Sequence, residues 1–278
     1  MPSIPELDLD AYLSRIQYAG ALRPDVATLS ALTRAHTQSI AFENIDVLLG
    51  NGISLDPQQI FDKLVTRRRG GYCFEQNILF QCVLRQLGFV VTPSAGRVRL
   101  GVTDRQMMPA RTHMFLKVDI AGDSWLTDVG FGSYSLTAAL ALQANQVQNT
   151  PHGPRRLLQH DTRWFHQGLG ADGQQWVDLY EFEPDFIMYP RDQKVANWYT
   201  QTHPDTHFTY RLSVARAQDE GGRVALLNRR LRIVDAQGQL DERELSGPKQ
   251  LAEVLNEVFY LDAARAAKAL WKKIKYDA

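Results

Sequence analysis

Cysteine is almost missing from this chain, with two in 278 residues. Two cysteines build no disulfide scaffold and cannot complete a cysteine-based zinc site without histidine. Neither charge sign dominates: 31 Lys and Arg face 31 Asp and Glu, and the formal net charge is zero. A disordered polyelectrolyte and a polyanion-binding surface spread over the whole protein are therefore disfavoured. No apolar run approaches the roughly 18 residues that span a bilayer, and the first ten residues are acidic and contain proline. A soluble, cytoplasmic protein is expected. There is no internal repeat and no low-complexity tract. What remains is a well-mixed chain, 44% hydrophobic and 10% aromatic, whose length suits one extended globular enzyme of two or three domains.

Residues 7–16, 26–40 and 60–65 carry apolar side chains three and four apart, as helices do. A further helix is expected over 74–87, where Ile78, Leu79, Cys82, Val83 and Leu87 form one apolar stripe and Gly88 is placed to end it. From Phe89 the pattern changes to short β-type runs at 89–91, 96–102, 113–120, 124–129, 175–180 and 182–188. Turn signals at Ala121-Gly122-Asp123 and Ala171-Asp172-Gly173 suggest an antiparallel sheet or small barrel. Residues 144–156, rich in Gln, Asn and Pro, read as a surface loop. A helical or irregular connector at 193–199 leads to β-like runs at 208–214 and 224–234, and amphipathic helices at 249–259 and 262–274 close the chain.

Cys73 opens the 74–87 helix directly after Arg67-Arg68-Arg69-Gly70-Gly71-Tyr72. The positive end of the helix dipole and three upstream arginines would both favour thiolate, and the paired glycines would leave room for a substrate. Cys82 lies nine residues on, about 13 Å along the axis and on the opposite face. That spacing forbids a bridge between the two, so Cys82 is expected in the core. A nucleophilic thiolate needs a base, and the base an orienting group. His113 begins a run that turns at Ala121-Gly122 and returns through Asp128. With a two-residue turn, Ile120 faces Asp123, His113 faces Gly130, and Asp128 sits diagonal to His113 on one face. A loop of odd length would put them on opposite faces.

The same residues carry a family likeness. Arg69-Gly70-Gly71-Tyr72-Cys73-Phe74-Glu75-Gln76-Asn77 and Asp128-Val129-Gly130-Phe131-Gly132 resemble the signature segments of arylamine N-acetyltransferases. Ala41-Phe42-Glu43-Asn44-Ile45-Asp46, Thr112-His113 and the stretch from Ala196 to Pro204 extend the likeness over about three quarters of the chain. Gln76 stands where the family varies and Gln201 where it commonly has serine. No motif stands out after Ala215. The resemblance implies an α+β fold: an N-terminal helical bundle (1–88), a central antiparallel β-barrel (89–190), a connector (191–210) and a C-terminal α/β lid (211–278), around a cysteine-protease-like Cys-His-Asp core. It implies Cys73, His113 and Asp128 as a catalytic triad and acetyl-CoA as donor, with no metal. A small aromatic amine or hydrazine would be the acceptor. Phe42 and Phe131 would line an apolar slot, unless they belong to the core. Thr112, Gly130 and Gly132 would adjoin substrate, the two glycines admitting the pantetheine arm. Arg69 and Glu43 would form a structural ion pair between the first two domains.

A cysteine is the fitting nucleophile for a thioester donor, because it exchanges one thioester for another and keeps the acetyl group reactive. Ping-pong kinetics are expected, with the Cys73 amide a candidate oxyanion donor. A cysteine hydrolase or transglutaminase-like enzyme shares the order Cys, His, Asp, but would cleave amides and ignore CoA. A pathway-specific amide synthase on the same fold and a non-catalytic binding protein are the other readings. His203 and His207 are spaced four apart, but Pro204 interrupts any regular helix and no third metal ligand is evident. The arginine triplet lacks interleaved aromatics and is not read as a nucleic-acid patch, and no membrane partner is expected.

Overall fold

Helix-capping residues punctuate the first third of the chain. Asp8, Asp25 and Asp56 accept backbone N–H bonds from the first turns of α1 (Leu9–Arg15), α2 (Val26–Ser39) and, after the short strand β1 (Phe42–Glu43) and α3 (Ile45–Leu49), α4 (Pro57–Phe61). The computed structural model describes residues 6–170, 173–219 and 221–274. The helix expected over 60–65 is present and longer, α4 ending at Phe61 and continuing as a π-helix over Asp62–Thr66.

α5 (Cys73–Gln86) runs through the centre of the molecule. A single apolar stripe was expected, yet every residue from Cys73 to Leu84 is buried, Glu75, Gln76, Asn77 and Gln81 included. The helix packs on α4 on one side and on the barrel strands β2 (Val90–Val98) and β3 (Arg111–Ile120) on the other. Its polar residues therefore hold neighbours in place rather than face water.

The barrel sheet continues through β4 (Asp123–Thr127), β5 (Leu140–Ala141), β6 (Val147–Thr150), β7 (Gly153–His160), β8 (Arg163–Leu169) and β9 (Trp176–Phe182), in the antiparallel order β5-β4-β3-β2-β9-β8-β7-β6. The edge strands β5 and β6 meet through a side chain. Gln148 accepts from the Ala141 N–H at 2.7 Å and donates to the Ala141 carbonyl at 2.9 Å, so its amide stands in for a missing ladder rung. Three expectations fail here. The supposed loop at 144–156 contains β6 and the start of β7; the runs at 89–91 and 96–102 are parts of one strand that ends at Val98; and 183–188 is not strand, because the chain turns at Pro184 and Asp185. The turn expected at Ala171-Asp172 lies outside the described residues.

Beyond the barrel come α6 (Pro190–Thr202), strands β10 (Ser213–Ala217), β11 (Arg223–Leu227), β12 (Arg230–Val234) and β13 (Leu240–Glu244), and helices α7 (Pro248–Glu253) and α8 (Ala267–Lys273). The first closing helix fills nearly the expected span because α7 continues as a π-helix over Val254–Val258, the second is shorter than expected, and the run at 208–214 becomes strand only from Ser213. The second sheet has the order β1-β10-β11-β12-β13. Its first strand is thus donated by the N-terminal segment: Phe42 pairs with Ala215 on one side and bridges to Gly71 on the other. Among the described residues no helix is long and apolar enough to cross a membrane.

Candidate active site

The β3–β4 hairpin turns through Ala121 and Gly122, whose φ values of 53° and 95° fit a two-residue turn matched to strand twist. Ile120 faces Asp123 as expected, but the ladder stops at Leu116 and Thr127, and the expected pairing of His113 with Gly130 does not form. His113 pairs with Gly96 of β2 instead. Asp128 lies just past the strand end and curls inward, its Oδ1 accepting from the Gly130 N–H at 3.0 Å. The two side chains still meet, with His113 Nε2 2.6 Å from Asp128 Oδ2 and both fully buried.

Cys73 is the first residue of α5, is 5% exposed and, like Cys82, is a free thiol. Its Sγ lies 3.8 Å from the Thr112 carbonyl oxygen and contacts the His113 ring, whose Nδ1 is the nitrogen left open by Asp128. Burial by itself would lower the imidazole pKa. The Asp128 carboxylate and the Cys73 sulfur more than offset it and raise it to about 9. Asp128 shows the converse balance. Burial disfavours its charge, but His113, the Gly130 amide and Asn77 hold its carboxyl below the usual range.

The arginine triplet does not surround the sulfur. Arg67 pairs with Asp62 at the surface, while Arg69 reaches Glu43 at 2.7 Å and Asp46 at 3.1 Å. The basic side chain in contact with the sulfur is the His113 imidazole. The Arg69–Glu43 ion pair exists, but both partners belong to the N-terminal segment and tie β1 and α3 to the turn before Cys73. Lys63 extends this network to Asp46 and Glu75, each at 2.7 Å, and Glu75 Oε2 accepts from the Tyr72 N–H at 3.1 Å, capping α5. Nor do the paired glycines leave open space. A Cβ on Gly70 would meet the Ala41 carbonyl oxygen at 2.2 Å, and one on Gly71 the Glu75 carboxylate at 2.7 Å. Gly130 is equally confined: a Cβ there would lie 2.7 Å from both the Cys73 Cα and the Asn77 Nδ2. Its bare backbone lets the Asp128 segment seat directly on α5.

Phe131 covers the site edge-on, its ring 4.6 Å from that of His113, and Tyr180 completes a three-ring cluster, 4.9 Å from His113 and 5.1 Å from Phe131. Phe42 is buried, with its ring 3.8 Å from the Cβ position of Gly132 and 5.9 Å from Phe208. Thr112 lines a cleft of about 330 Å³ with Ala95, Phe186, Met188 and Tyr199. His203 ends α6 beside Asp205, and His207 stacks against Phe208. Cys82 is core, its thiol pushed up to about 11 by burial. Among the described residues, no cluster of three His, Cys, Asp or Glu is placed to hold a metal.

Three residues that sequence reasoning left unassigned shape this site. Asn77, one turn after Cys73, donates to the Cys73 carbonyl at 3.1 Å, the Met114 carbonyl at 2.8 Å and Asp128 Oδ1 at 3.1 Å, and accepts from the Val129 N–H at 3.3 Å. Its i, i+4 spacing from Cys73 was the available signal. Tyr180 and Phe208 gave none, since each is one aromatic among many in a β-like or irregular stretch.

A family model described as N-acetyltransferase matches residues 25–267. The arylamine N-acetyltransferase of Escherichia coli (strain K12) is 38% identical over 259 residues, covering 91% of this chain and 88% of that protein. That of Mycolicibacterium smegmatis is 40% identical over 260 residues, 92% of each. This chain belongs to the arylamine N-acetyltransferase family. Its fold matches the solved structure of the Mycobacterium marinum arylamine N-acetyltransferase with a TM-score of 0.90 at 37% identity, over 96% of this chain and 99% of that one. A second M. marinum structure, described as a complex with CoA, matches with a TM-score of 0.89 at 36% identity, over 97% and 100%. The likeness thus covers the C-terminal sheet and helices as well as the signature segments.

Proposed function

We propose that this protein transfers the acetyl group of acetyl-CoA to arylamines, arylhydrazines and related weakly basic amines through an acetyl-Cys73 intermediate. The observation that carries the reading is the Cys73–His113–Asp128 array, closed at 2.6 Å on the carboxylate side, in a chain whose relatives are named for this activity. In the first half-reaction the Cys73 sulfur attacks the thioester carbonyl while the Cys73 N–H, which as the first amide of α5 has no intrahelical acceptor, steadies the developing oxyanion. The C–S bond to CoA breaks and His113 gives its proton to the departing thiolate. His113 is then neutral, with Asp128 fixing its tautomer, and it takes a proton from the attacking amine as the new C–N bond forms and the Cys73 C–S bond breaks. The thiolate–imidazolium pair is restored.

Phe131, Phe42 and Phe208 supply the apolar walls for a flat acceptor ring. Phe42 is buried, Phe131 and Phe208 are half-buried and Cys73 itself is 5% exposed, so little water reaches the thioester, which favours transfer over hydrolysis. The partners are CoA and a small amine, and two unpaired cysteines suit a reducing cytoplasm. Mass spectrometry of intact protein after incubation with acetyl-CoA tests the reading. A single acetyl adduct on Cys73, discharged by an arylamine and absent in Cys73→Ala, is expected. Turnover by a folded Cys73→Ala variant, or amide hydrolysis without any acetyl adduct, would overturn it.

A further inference from the structure

Buried arginines in this fold generally have partners. Arg99 and Arg163 converge on Glu181, and Arg216 donates to the carbonyls of Gln38, Val258 and Ala217. Arg155 and Arg223 break that pattern. Arg155, 3% exposed, makes one bond, to its neighbour's Pro154 carbonyl at 3.2 Å; Arg223 makes one, to the Ser135 carbonyl at 3.2 Å. Neither has a carboxylate partner among the described residues, and Arg155 Nε and Arg223 Nη1 are buried without any acceptor. A guanidinium carries five N–H donors, so most of the donors of both remain unused.

Both arginines line one cavity of about 650 Å³ between the barrel and the C-terminal sheet. The other charged side chains there have their own contacts, although Asp235 keeps its negative charge on the wall. Arg232 pairs with Glu242 at 2.9 Å, and Asp235 accepts from the backbone N–H groups of Gln237 and Gln239. His152 bonds Thr137 and the Gln218 carbonyl, and burial with Arg223 nearby lowers its pKa to about 4, leaving it neutral. Burial lowers Arg155 to about 10, while burial and its neighbour Arg155 together lower Arg223 to about 9. Desolvating two cations side by side is costly unless something anionic joins them. Tyr134, also on the cavity wall, is three residues from Phe131, which packs on His113.

We propose that Arg155 and Arg223 form a binding site for a phosphate-type dianion in this cavity. Two guanidinium forks match the oxygen spacing of phosphate groups, and two fixed cations call for at least two negative charges, which favours a diphosphate over a single carboxylate. The chemistry is the same whether the anion is free or is the diphosphate of an acyl-CoA donor. Only the second source rests on the acetyl-transfer reading.

Inorganic pyrophosphate is the probe. At about 100 times its Kd it should raise the Tm of the wild-type protein by roughly 5 °C, beyond any effect of potassium chloride at matched ionic strength. Arg155→Met and Arg223→Met should lose that shift while keeping a ligand-free Tm at or above the wild type's, because each removes an unpaired buried charge. Arg223→Lys, which keeps charge but not the fork, covers the case of a methionine variant that fails to fold, and should weaken pyrophosphate about tenfold. No shift in the wild type, an equal shift with chloride, or a shift surviving in the variants overturns the proposal. Calorimetry with CoA separates the sources. Competition by pyrophosphate, with a CoA Kd raised about tenfold in Arg223→Met, assigns the site to the donor; pyrophosphate binding that leaves CoA affinity unchanged assigns it to a free anion and leaves the acetyl-transfer reading untouched.

Discussion

Asn77 Nδ2 lies 3.1 Å from Asp128 Oδ1, so one helical amide positions the carboxylate that orients His113. The same nitrogen reaches the Cys73 carbonyl and the Met114 carbonyl, so Cys73, the His113 strand and the Asp128 segment share one anchor. Asn77→Ala should lower kcat for acetyl transfer about 10- to 100-fold through the loss of buried hydrogen bonds. It should also move the pH dependence of Cys73 alkylation, which a purely structural role would leave in place. An unchanged pH profile would count against the positioning role.

Asp128→Asn removes the charge that outweighs burial at His113. The imidazole pKa should then fall well below its present value of about 9, and transfer should slow by roughly 10² to 10⁴. Steady-state kinetics and a titration of His113 by NMR check both. Near-normal rates would mean that Cys73 and His113 suffice.

Gly130→Ala places a methyl 2.7 Å from the Cys73 Cα, against a helix backbone that cannot yield locally. A loss of about 1–3 kcal/mol in unfolding free energy is expected, with activity falling further as Asp128 is lifted off α5. Denaturant titration reads the first and kinetics the second.

Acid should destabilise the fold from just below pH 6.5. Burial lowers the pKa of His36 and His152 to about 4 and of His166 to about 3, so each binds a proton more weakly folded than unfolded. Their contribution is complete above about pH 6.5 and declines as pH falls toward their folded values, each adding a slope of about 1.4 kcal/mol per pH unit. His113 has the opposite sign: its stabilisation is complete below about pH 6.5 and is lost as pH rises through 9. Below about pH 6.5 the His113 contribution no longer changes while the other three titrate, so Tm measured between pH 7 and 5 should fall, and His166→Phe should flatten the slope. A Tm independent of pH over that range would contradict the assignment of buried neutral imidazoles.

The legible parts of the chain were those in which a single strong pattern decided the structure. The Cys73 helix, the Ala121-Gly122 turn and the proximity of His113 to Asp128 all followed from spacing, although Asp128 arrives by curling past the strand end rather than by pairing across it. The strands β6 and β7 were hidden because an inward position carries Arg155 where alternation calls for an apolar residue. The role of the arginine triplet was misjudged for a related reason. Chain proximity placed Arg67 and Arg69 near Cys73, but carboxylates distant in sequence or on the surface claimed them. Pairwise chemistry between remote segments leaves no periodic trace.

Phe42 has its backbone bonded into β10 and its other edge bridged to Gly71, two residues ahead of Cys73. A deletion that begins anywhere before residue 213 would therefore do more than shorten the tail. It would unzip the aromatic wall from behind and slacken the bend that presents the thiol, so trimmed forms of this enzyme should lose acceptor selectivity and acylation together.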